Sequence, residues 1–354
     1  MHASTKPETT RGSSKETPNG STATTRHDAD IYDGTHPEAR DWNQFGRALK
    51  VLDLISTYYF RTSVTGFDNV PDESSLVVGT HIGGLPAADL GMLFHAWYRR
   101  FGDQRPLYGL AHDIHFRKKK WARLLSLGGG MKASKAVALD ILRRPNHHVI
   151  VFPAGARELL KPYHRRDRID FHGHRGFVRL ALEAGVPIVP SVSVGADTFF
   201  VLNEGTNTAR LLGVDKSLRI PVFPAMISFP WGLTLGPAPH IPLPKQIRIA
   251  IGTPLRFNLG AEAANDPYIV DDIYYTVQSV MQGMRDRLAR VKAVTQPLRP
   301  SIAELRAHVR EALEIFEAWL NSSQSLDEET RDHMDRTETA EKDTPSVTTV
   351  RLAG

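Results

Sequence analysis

Short apolar runs alternate with amphipathic stretches through the middle of the chain. Four runs are rich in Val, Ile and Leu and are bounded by polar or turn residues, at 75–79, 107–110, 148–152 and 186–194. Runs of this length and composition predict buried strands. Three stretches with apolar residues at helical spacing lie between them, at 86–97, 134–142 and 176–183. Alternating strands and helices are typical of an α/β layered fold, so we expect one domain with a mostly parallel sheet flanked by helices.

Helical patterns also open and close this core. A helix-start signal at Thr35, Pro37 and Glu38 precedes apolar residues at helical spacing over 42–59. An alternating apolar pattern at 247–251 predicts a further strand. Two amphipathic helices are predicted after it, at 273–291 and 301–320.

Polar segments flank the core. Residues 1–30 and 322–354 combine Ser, Thr, Lys and Glu with few apolar side chains, so we expect two disordered tails around a single domain at 31–321. The first tail also lacks the apolar stretch of a signal peptide. The longest uncharged span of the second half, 220–244, contains seven prolines. Because prolines interrupt a helix, no transmembrane helix is expected there.

The composition narrows the chemistry. The 354 residues include no cysteine, which excludes a disulfide framework, a thiolate zinc site, an iron–sulfur cluster and a cysteine nucleophile. Lys and Arg number 44 against 39 Asp and Glu, which gives a formal net charge of +5. Such a mildly basic chain suits an anionic substrate, an anionic membrane or a nucleic acid.

Much of the positive charge lies between residues 99 and 135, where ten Lys or Arg occur with two acids. The basic run at 117–120 precedes Trp121, a pattern that suits the interface of an anionic membrane. A second basic set follows at 161–168. A solvated surface is the alternative for both. Nucleic acid is not expected as a partner, because no helix-turn-helix, zinc knuckle or aromatic RNA-binding strand accompanies the charge.

The first candidate site follows the apolar run at 75–79. His81 comes just after this run, and Asp89 lies at the start of the next helical pattern, with Gly83 and Gly84 between them. A histidine at a strand end acts as a general base when a carboxylate orients its ring, and the two glycines leave room for a substrate beside the backbone. The alternative is a histidine that bonds a turn carbonyl, beside an acid that favours the helix dipole.

The second candidate site follows the apolar run at 148–152. Gly155 would allow tight packing of this loop, and the backbone amides after it together with Arg157 would bind a phosphate or another anion. Glu158 would hold Arg157 rigid. An ordinary surface ion pair at a helix start is the alternative.

The sequence lacks the motifs of serine hydrolases and of nucleotide-binding proteins. The sequence contains no G-x-S-x-G elbow, no G-x-x-x-x-G-K-[ST] loop and no G-x-G-x-x-G. Two histidine pairs have spacing that would allow metal binding, His112 with His115 and His172 with His174. No metal is expected, because no third ligand lies near either pair in the sequence.

The order of these parts resembles the glycerolipid acyltransferase family, whose lysophosphatidate-acyltransferase-like members move an acyl chain from a thioester to a lipid hydroxyl. The family's first motif is a strand end, His, four residues and Asp; the third is Phe-Pro-Glu-Gly-x-Arg; the fourth is a Val-Pro-Ile-Val-Pro strand. The corresponding segments are THIGGLPAAD, FPAGARE and GVPIVP. The segment at 125–134 matches the second motif loosely, and the resemblance covers about 58–290.

Two departures point to one branch of that family. Seven residues separate His81 from Asp89, with Pro86 at the position of the usual Asp, and Ala154 replaces the usual Glu of the third motif. Both features are similar to diacylglycerol acyltransferases and phytyl-ester synthases. This branch makes a phosphate-bearing acceptor less expected and leaves the acceptor open.

The resemblance implies direct acyl transfer by a His81–Asp89 pair. The donor would be acyl-CoA or an acyl-carrier protein, the acceptor a lipid hydroxyl, and no cofactor would be required. Backbone amides near Gly83 and Gly84, or near Gly155, would stabilise the oxyanion. Arg157 and the basic residues would bind CoA phosphates or a lipid headgroup, with Glu158 beside them.

The resemblance also suggests a location. The span at 220–244 would line an acyl-chain tunnel or rest in the membrane, and the chain would be cytoplasmic and peripheral on an anionic membrane surface. Two other functions stay open. The first is a non-catalytic lipid- or membrane-binding protein on the same scaffold. The second is a hydrolase that releases acyl groups to water.

Overall fold

The computed structural model describes residues 31–291, except 83, 85, 86, 197, 198, 218–220 and 237–239, together with residues 303, 306, 307, 310 and 314. The expected tails at 1–30 and 322–354 lie outside the described residues, as does most of the expected helix at 301–320. Gly83 and Pro86 of the first candidate site also lie outside them.

The core is a seven-stranded sheet in which five neighbouring strands are parallel. Its strands, in chain order, are β1 (Ser63–Thr65), β2 (Ser75–Gly79), β3 (Leu107–Ala111), β4 (Gly130–Lys132), β5 (His148–Val151), β6 (Ile188–Val194) and β10 (Arg248–Ile251). Their order across the sheet is β1-β10-β6-β2-β5-β3-β4. Because β10 runs antiparallel to β6, the sheet is mostly parallel, as the sequence predicts.

A second, three-stranded antiparallel sheet lies beside this core. It consists of β7 (Phe200–Val201), β8 (Ala225–Ser228) and β9 (Gly232–Leu235), in the order β7-β8-β9. The prolines of the span at 220–244 correctly predict that it is not a continuous helix, but its sequence does not predict the hairpin that β8 and β9 form.

The described part of the chain contains helices on both faces of the large sheet and others beyond it. In chain order all of these helices are α1 (Trp42–Leu54), α2 (Ala88–Phe101), α3 (Lys119–Leu127), α4 (Lys135–Leu142), α5 (Ala156–Leu159), α6 (Gly176–Ala184), α7 (Thr206–Leu211), α8 (Val214–Ser217) and α9 (Pro267–Arg290). One buried apolar cluster lies on the side of α4, α6 and α9, and another lies on the side of α1 and α2. The predicted layered α/β architecture is therefore confirmed.

The expected helix start at Thr35 is wrong. Thr35 donates two hydrogen bonds to Asp33, and Pro37–Ala39 form only a single 3₁₀ turn that ends in extended backbone. The carboxylate of Asp41 instead accepts a hydrogen bond from the backbone N–H of Gln44 at 3.1 Å, so it caps the helix that begins one residue later. The apolar pattern at 42–59 is confirmed as α1 and a π-helical turn at Ile55–Tyr59.

The strand order brings three chain segments to one edge of the sheet. The strands β5 and β6 flank β2 on either side and run parallel to it. The carboxyl ends of parallel strands meet at one edge, which is where α/β folds bind ligands. The segments after β2 and β5 carry the two candidate sites, so the fold brings them to the same edge.

Candidate active site

The imidazole of His81 faces the carboxylate of Asp89. His81 follows β2, and Asp89 lies in the first turn of α2. The distance from His81 Nδ1 to Asp89 Oδ1 is 3.5 Å, an ion-pair distance rather than a short hydrogen bond. Among the described residues neither atom has a hydrogen-bond partner. The seven-residue spacing therefore still brings the two groups together, with Nδ1 directed to the carboxylate.

The turn between these residues relies on unusual backbone geometry. Gly84 has φ +60°, and a side chain there would lie 2.6–2.7 Å from the rings of His240 and Phe199. The N–H of Ala87 donates to the Gly84 carbonyl at 2.7 Å, and Ala87 itself has φ +60°. This left-handed pair reverses the chain just before α2, so that the start of the helix returns toward the end of β2.

Two further groups fix the carboxylate of Asp89. Its Oδ2 atom accepts a hydrogen bond from the Ile82 N–H at 2.9 Å and another from the Ser193 hydroxyl at 3.0 Å. Asp89 is only 2% exposed. A buried carboxylate that accepts two hydrogen bonds keeps a fixed position, which in turn orients the imidazole of His81.

Phe152 supports the other side of the histidine. The ring centroids of His81 and Phe152 are 4.7 Å apart, with an interplanar angle of 35°. Phe152 follows β5 directly and also lies against Gly79, where a Cβ would be 2.5 Å from its ring. Because Gly79 has no side chain, the Phe152 ring can pack against the end of β2 and contact the imidazole of His81.

The loop after β5 differs in two respects from the expectation. Gly155 has φ +50° and ψ −130°, but its Cβ position has no neighbour within 4 Å. Glycine is required there by backbone conformation and not by tight packing. Ala154 is buried, so a small apolar side chain occupies the position of the usual family glutamate.

Glu158 does not hold Arg157, so the expected pair is wrong. The Glu158 carboxylate accepts a 2.7 Å hydrogen bond from Lys161, and both side chains are largely buried. Consecutive residues on a helical turn point in different directions, whereas residues three apart face each other, which explains the exchange of partners. Burial raises the pKa of Glu158, while the charges of Lys161 and His81 act in the opposite direction.

Arg157 is left without a carboxylate partner among the residues that the structure describes. The Arg157 side chain is half-buried and lies near His172. Burial of His172 lowers the pKa of that histidine, and the positive charge of Arg157 lowers it further. An arginine in this state is available for an anionic ligand.

A small cleft that is open to solvent adjoins the His81–Asp89 pair. Thr80 and Ile82, the chain neighbours of His81, line it, as does Ser193. Its other polar lining includes Glu158, Lys161, Arg166 and Arg285. Phe199 and Val201, at the start of the small sheet, add apolar lining. The cleft thus combines apolar, cationic and hydroxyl groups beside a candidate base.

The segment at 125–134, the loose match to the second motif, does not contribute to this cleft. It forms the end of α3, a glycine turn and β4, the edge strand that β3 and β5 separate from β2. Sequence reasoning missed Ser193 as a site residue, and it placed Lys161 only in a basic set without its pairing to Glu158. The alternation of polar residues 191 and 193 within an apolar strand could have indicated Ser193, since buried hydroxyls need partners.

The family described as diacylglycerol acyltransferase matches residues 37–286. An uncharacterised protein of Mycobacterium leprae is 33% identical over 233 residues, which are 65% of this chain and 60% of that protein. An uncharacterised protein of Mycobacterium tuberculosis is 32% identical over 65% of this chain and 62% of its own length. The chain thus matches about 60% of the length of these relatives.

Two named proteins are more distant. Phytyl ester synthase 1 of Arabidopsis thaliana is 30% identical over 166 residues, 45% of this chain and 22% of that protein. The crystal structure of the 1-acyl-sn-glycerophosphate acyltransferase PlsC from Thermotoga maritima aligns with a TM-score of 0.39 and 16% identity, over 69% of this chain and 81% of that chain.

Proposed function

The chain belongs to the diacylglycerol acyltransferase family, and from this premise we propose that it transfers a fatty acyl chain from a thioester to the hydroxyl group of a lipid. The donor is acyl-CoA or an acyl-carrier protein. The observation that carries the proposal is the His81 imidazole facing the buried Asp89 carboxylate beside the cleft.

The reaction proceeds by general-base catalysis. His81, held by Asp89 at Nδ1, accepts the hydroxyl proton of the acceptor at Nε2 as the oxygen attacks the thioester carbonyl. The carbon–oxygen bond forms, the tetrahedral intermediate collapses, and the carbon–sulfur bond breaks. The departing thiolate then receives the proton from the imidazolium. This sequence needs neither an acyl-enzyme nor a cofactor.

Charge that develops on the carbonyl oxygen needs hydrogen-bond donors. Backbone amides of the turn at Gly83 and Gly84, or of the loop at Gly155, serve this purpose in the proposal. The positive φ of Gly84 and of Gly155 supports this, because a glycine in that conformation lets a substrate approach the backbone closely.

Arg157 binds an anionic part of a substrate, either the phosphates of CoA or a lipid headgroup. Its lack of a carboxylate partner in the described part of the chain supports this role. The described residues that line the cleft include Lys161 and Arg166 but not Arg157, which lies in the loop beside it. The buried carboxylate of Glu158 balances Lys161 and keeps that ammonium in place.

The protein works at the cytoplasmic surface of an anionic membrane in this proposal. The exposed basic run at 117–120 beside the exposed Trp121 supports peripheral attachment. Within the described residues, none of the helices is both long and apolar enough to span a bilayer.

A product assay tests the proposal. The full chain is incubated with labelled acyl-CoA or acyl-carrier protein and a mixture of lipid alcohols, and the products are identified by mass spectrometry. We expect a lipid ester from the wild type and formation of the same ester about 10³-fold more slowly by His81→Ala. Free acid alone would identify a hydrolase, and the absence of turnover with lipid still bound would identify a binding protein; either result contradicts the proposal.

A further inference from the structure

The small antiparallel sheet has two distinct faces. Its pairing places Phe200, Ile227 and Leu233 in one row, and Leu202 and Leu235 beside Ala225 in the next row on the same side. We call these five large side chains the outer face. Val201 and Met226 form the row between and point the other way, where they are buried against Leu160 and Phe199.

The outer face is apolar although it is exposed. Its side chains are 44–70% exposed, and each of the five is Phe, Leu or Ile. An antiparallel sheet that covers a core on one side normally carries polar residues on the other. A contiguous apolar patch on a protein surface marks an interaction site.

The hairpin tip extends this apolar surface. Phe229 and Trp231, between β8 and β9, are 56% and 60% exposed, and Ile241 and Leu243 are exposed in the segment that follows. The whole span at 220–244 contains no Lys, Arg, Asp or Glu. Aromatic side chains at the tip of an uncharged apolar surface are typical of segments that enter the interface of a bilayer.

Two cations lie at one border of this surface. Lys245 is exposed next to the span, and the guanidinium of Arg61 donates a 3.0 Å hydrogen bond to the Pro244 carbonyl. Near Leu202, at another border, Glu204 forms an ion pair with Arg165, so that its charge is compensated. An uncharged apolar centre with cations beside it complements a hydrocarbon layer beneath anionic headgroups.

The outer face leads directly to the cleft. The rings of Phe200 and Tyr163 are 4.6 Å apart, and Tyr163 lines the cleft. The guanidinium of Arg166 lies 3.7 Å from the centre of the Tyr163 ring. Phe199 and Val201, on either side of Phe200 in the chain, also line the cleft. An apolar path thus joins the outer face to the surroundings of His81.

We propose that the outer face and the tip residues Phe229 and Trp231 form the surface that docks the protein on a lipid bilayer, with the mouth of the cleft facing the membrane. The orientation of the cleft rests on the proposed function; the docking surface does not. In this arrangement a lipid leaves the bilayer along Phe200 and Tyr163 and presents its hydroxyl to His81 without crossing water. The basic run at 117–120 adds attraction to anionic lipid but does not insert.

Paired substitutions test the surface. Leu233→Glu with Leu235→Glu places two charges on the outer face at highly exposed positions. The matched control, Leu259→Glu with Tyr268→Glu, makes the same charge change at exposed positions elsewhere. Arg285 of α9 lines the cleft, and Tyr268 lies 17 residues before it, about 25 Å along the same helix. On neutral phosphatidylcholine vesicles we expect the outer-face variant to lose binding by about tenfold or more. The control variant should bind as the wild type does, because its added charges lie outside the proposed docking surface and neutral lipid does not repel them.

A second measurement does not depend on how the glutamates are tolerated. Vesicles with brominated acyl chains should quench the fluorescence of the wild type and leave Trp231→Phe much less quenched, although the chain has five tryptophans. Equal binding of the outer-face and control variants, or equal quenching of wild type and Trp231→Phe, would overturn the proposal. So would a wild-type dimer that the outer-face variant abolishes, with no vesicle binding by either.

Activity separates this proposal from the proposed function. The outer-face variant should retain acyl transfer to a short-chain acceptor dispersed in water and lose transfer to an acceptor embedded in vesicles. If the wild type transfers acyl groups to no acceptor, the proposed function fails while the vesicle results still decide the docking surface. Equal loss on both acceptors would contradict the proposed orientation of the cleft.

Discussion

At the scale of single residues, the buried carboxylate of Asp89 determines how His81 is oriented. The sequence reveals the two partners because they lie eight positions apart and follow a strand pattern. Ser193, which donates to the same carboxylate, lies 104 positions away in the chain. No local pattern joins residues so far apart, so only the fold identifies this third member.

We predict that Ser193→Ala lowers kcat about tenfold and leaves KM almost unchanged. The substitution removes a hydrogen bond to a charged group that orients the base, and such bonds contribute about 1.5–3 kcal/mol. Steady-state kinetics measure the effect. Ser191→Ala is the matched control, since Ser191 is equally buried on β6 and its side chain has no hydrogen bond to Asp89. Equal kinetics of the two variants would show that Ser193 has no positioning role.

Arg157 should act mainly in substrate binding. We predict that Arg157→Ala raises KM for the anionic substrate and that Arg157→Lys recovers part of the loss, because an ammonium does not replace a bidentate guanidinium. The measurement is initial rate against donor concentration and, separately, against acceptor concentration. Identical saturation curves for wild type and Arg157→Ala would show that this loop binds no charged group.

A buried histidine far from this chemistry should make stability depend on pH. His148 is completely buried on β5, its Nδ1 lies 2.7 Å from the Ser75 hydroxyl, and burial lowers its pKa to about 3. The pKa of His148 in the folded protein is below its value of about 6.5 in the unfolded chain. The neutral, buried imidazole therefore stabilises the fold fully above about pH 6.5, and this stabilisation is lost as the pH falls toward the folded pKa. Each pH unit below that point should lower the free energy of unfolding by about 1.4 kcal/mol.

Urea unfolding at several pH values between neutrality and mild acid measures this effect. His148→Gln, which does not titrate, should show a correspondingly weaker dependence on pH. Parallel curves for the two proteins would exclude His148 as the source.

At the scale of elements, the pattern of apolar residues predicted the central strands of the large sheet but not the hairpin of the small one. The strands β2, β5 and β6 are buried on both faces and therefore read as continuous apolar runs. The hairpin of β8 and β9 has strands of only four residues, and apolar side chains lie on both faces of β8. Without alternation, and with prolines around it, this segment carries no strand signal.

The start of α3 gives a prediction of its own. Lys119 and Lys120 lie in the first turn, where cations are unfavourable to the helix dipole, so their presence favours a role outside helix stability. We predict that replacing all four residues of the run 117–120 by Ala leaves the fold intact and weakens binding to anionic vesicles by roughly 4 kcal/mol. High salt should weaken wild-type binding in the same way.

Co-sedimentation with liposomes of graded anionic content, at low and high salt, checks this prediction. Residual binding of the quadruple variant is expected from the outer face. A wild type that responds neither to lipid charge nor to salt would show that the basic run is only a solvated surface.

At the scale of the whole molecule, strand order assembles the site. The segments that carry His81 and the Arg157 loop follow β2 and β5, and Ser193 lies near the end of β6, so three adjacent strands contribute. The sequence predicts parallel strands and hence a shared edge, but it does not show which strands are neighbours. It also did not predict that Glu158 pairs with Lys161, because that choice depends on the direction of side chains along one helical turn.

The central claim is that His81 and Asp89 act as one catalytic unit in acyl transfer, and a double-mutant cycle tests it most directly. The rates of lipid-ester formation are measured for wild type, His81→Ala, Asp89→Asn and the double variant, with circular dichroism as the check of folding. We predict that His81→Ala lowers kcat by about 10³-fold, that Asp89→Asn costs nearly as much, and that the double variant loses little more. Full activity of Asp89→Asn, or losses that multiply in the double variant, would contradict the account.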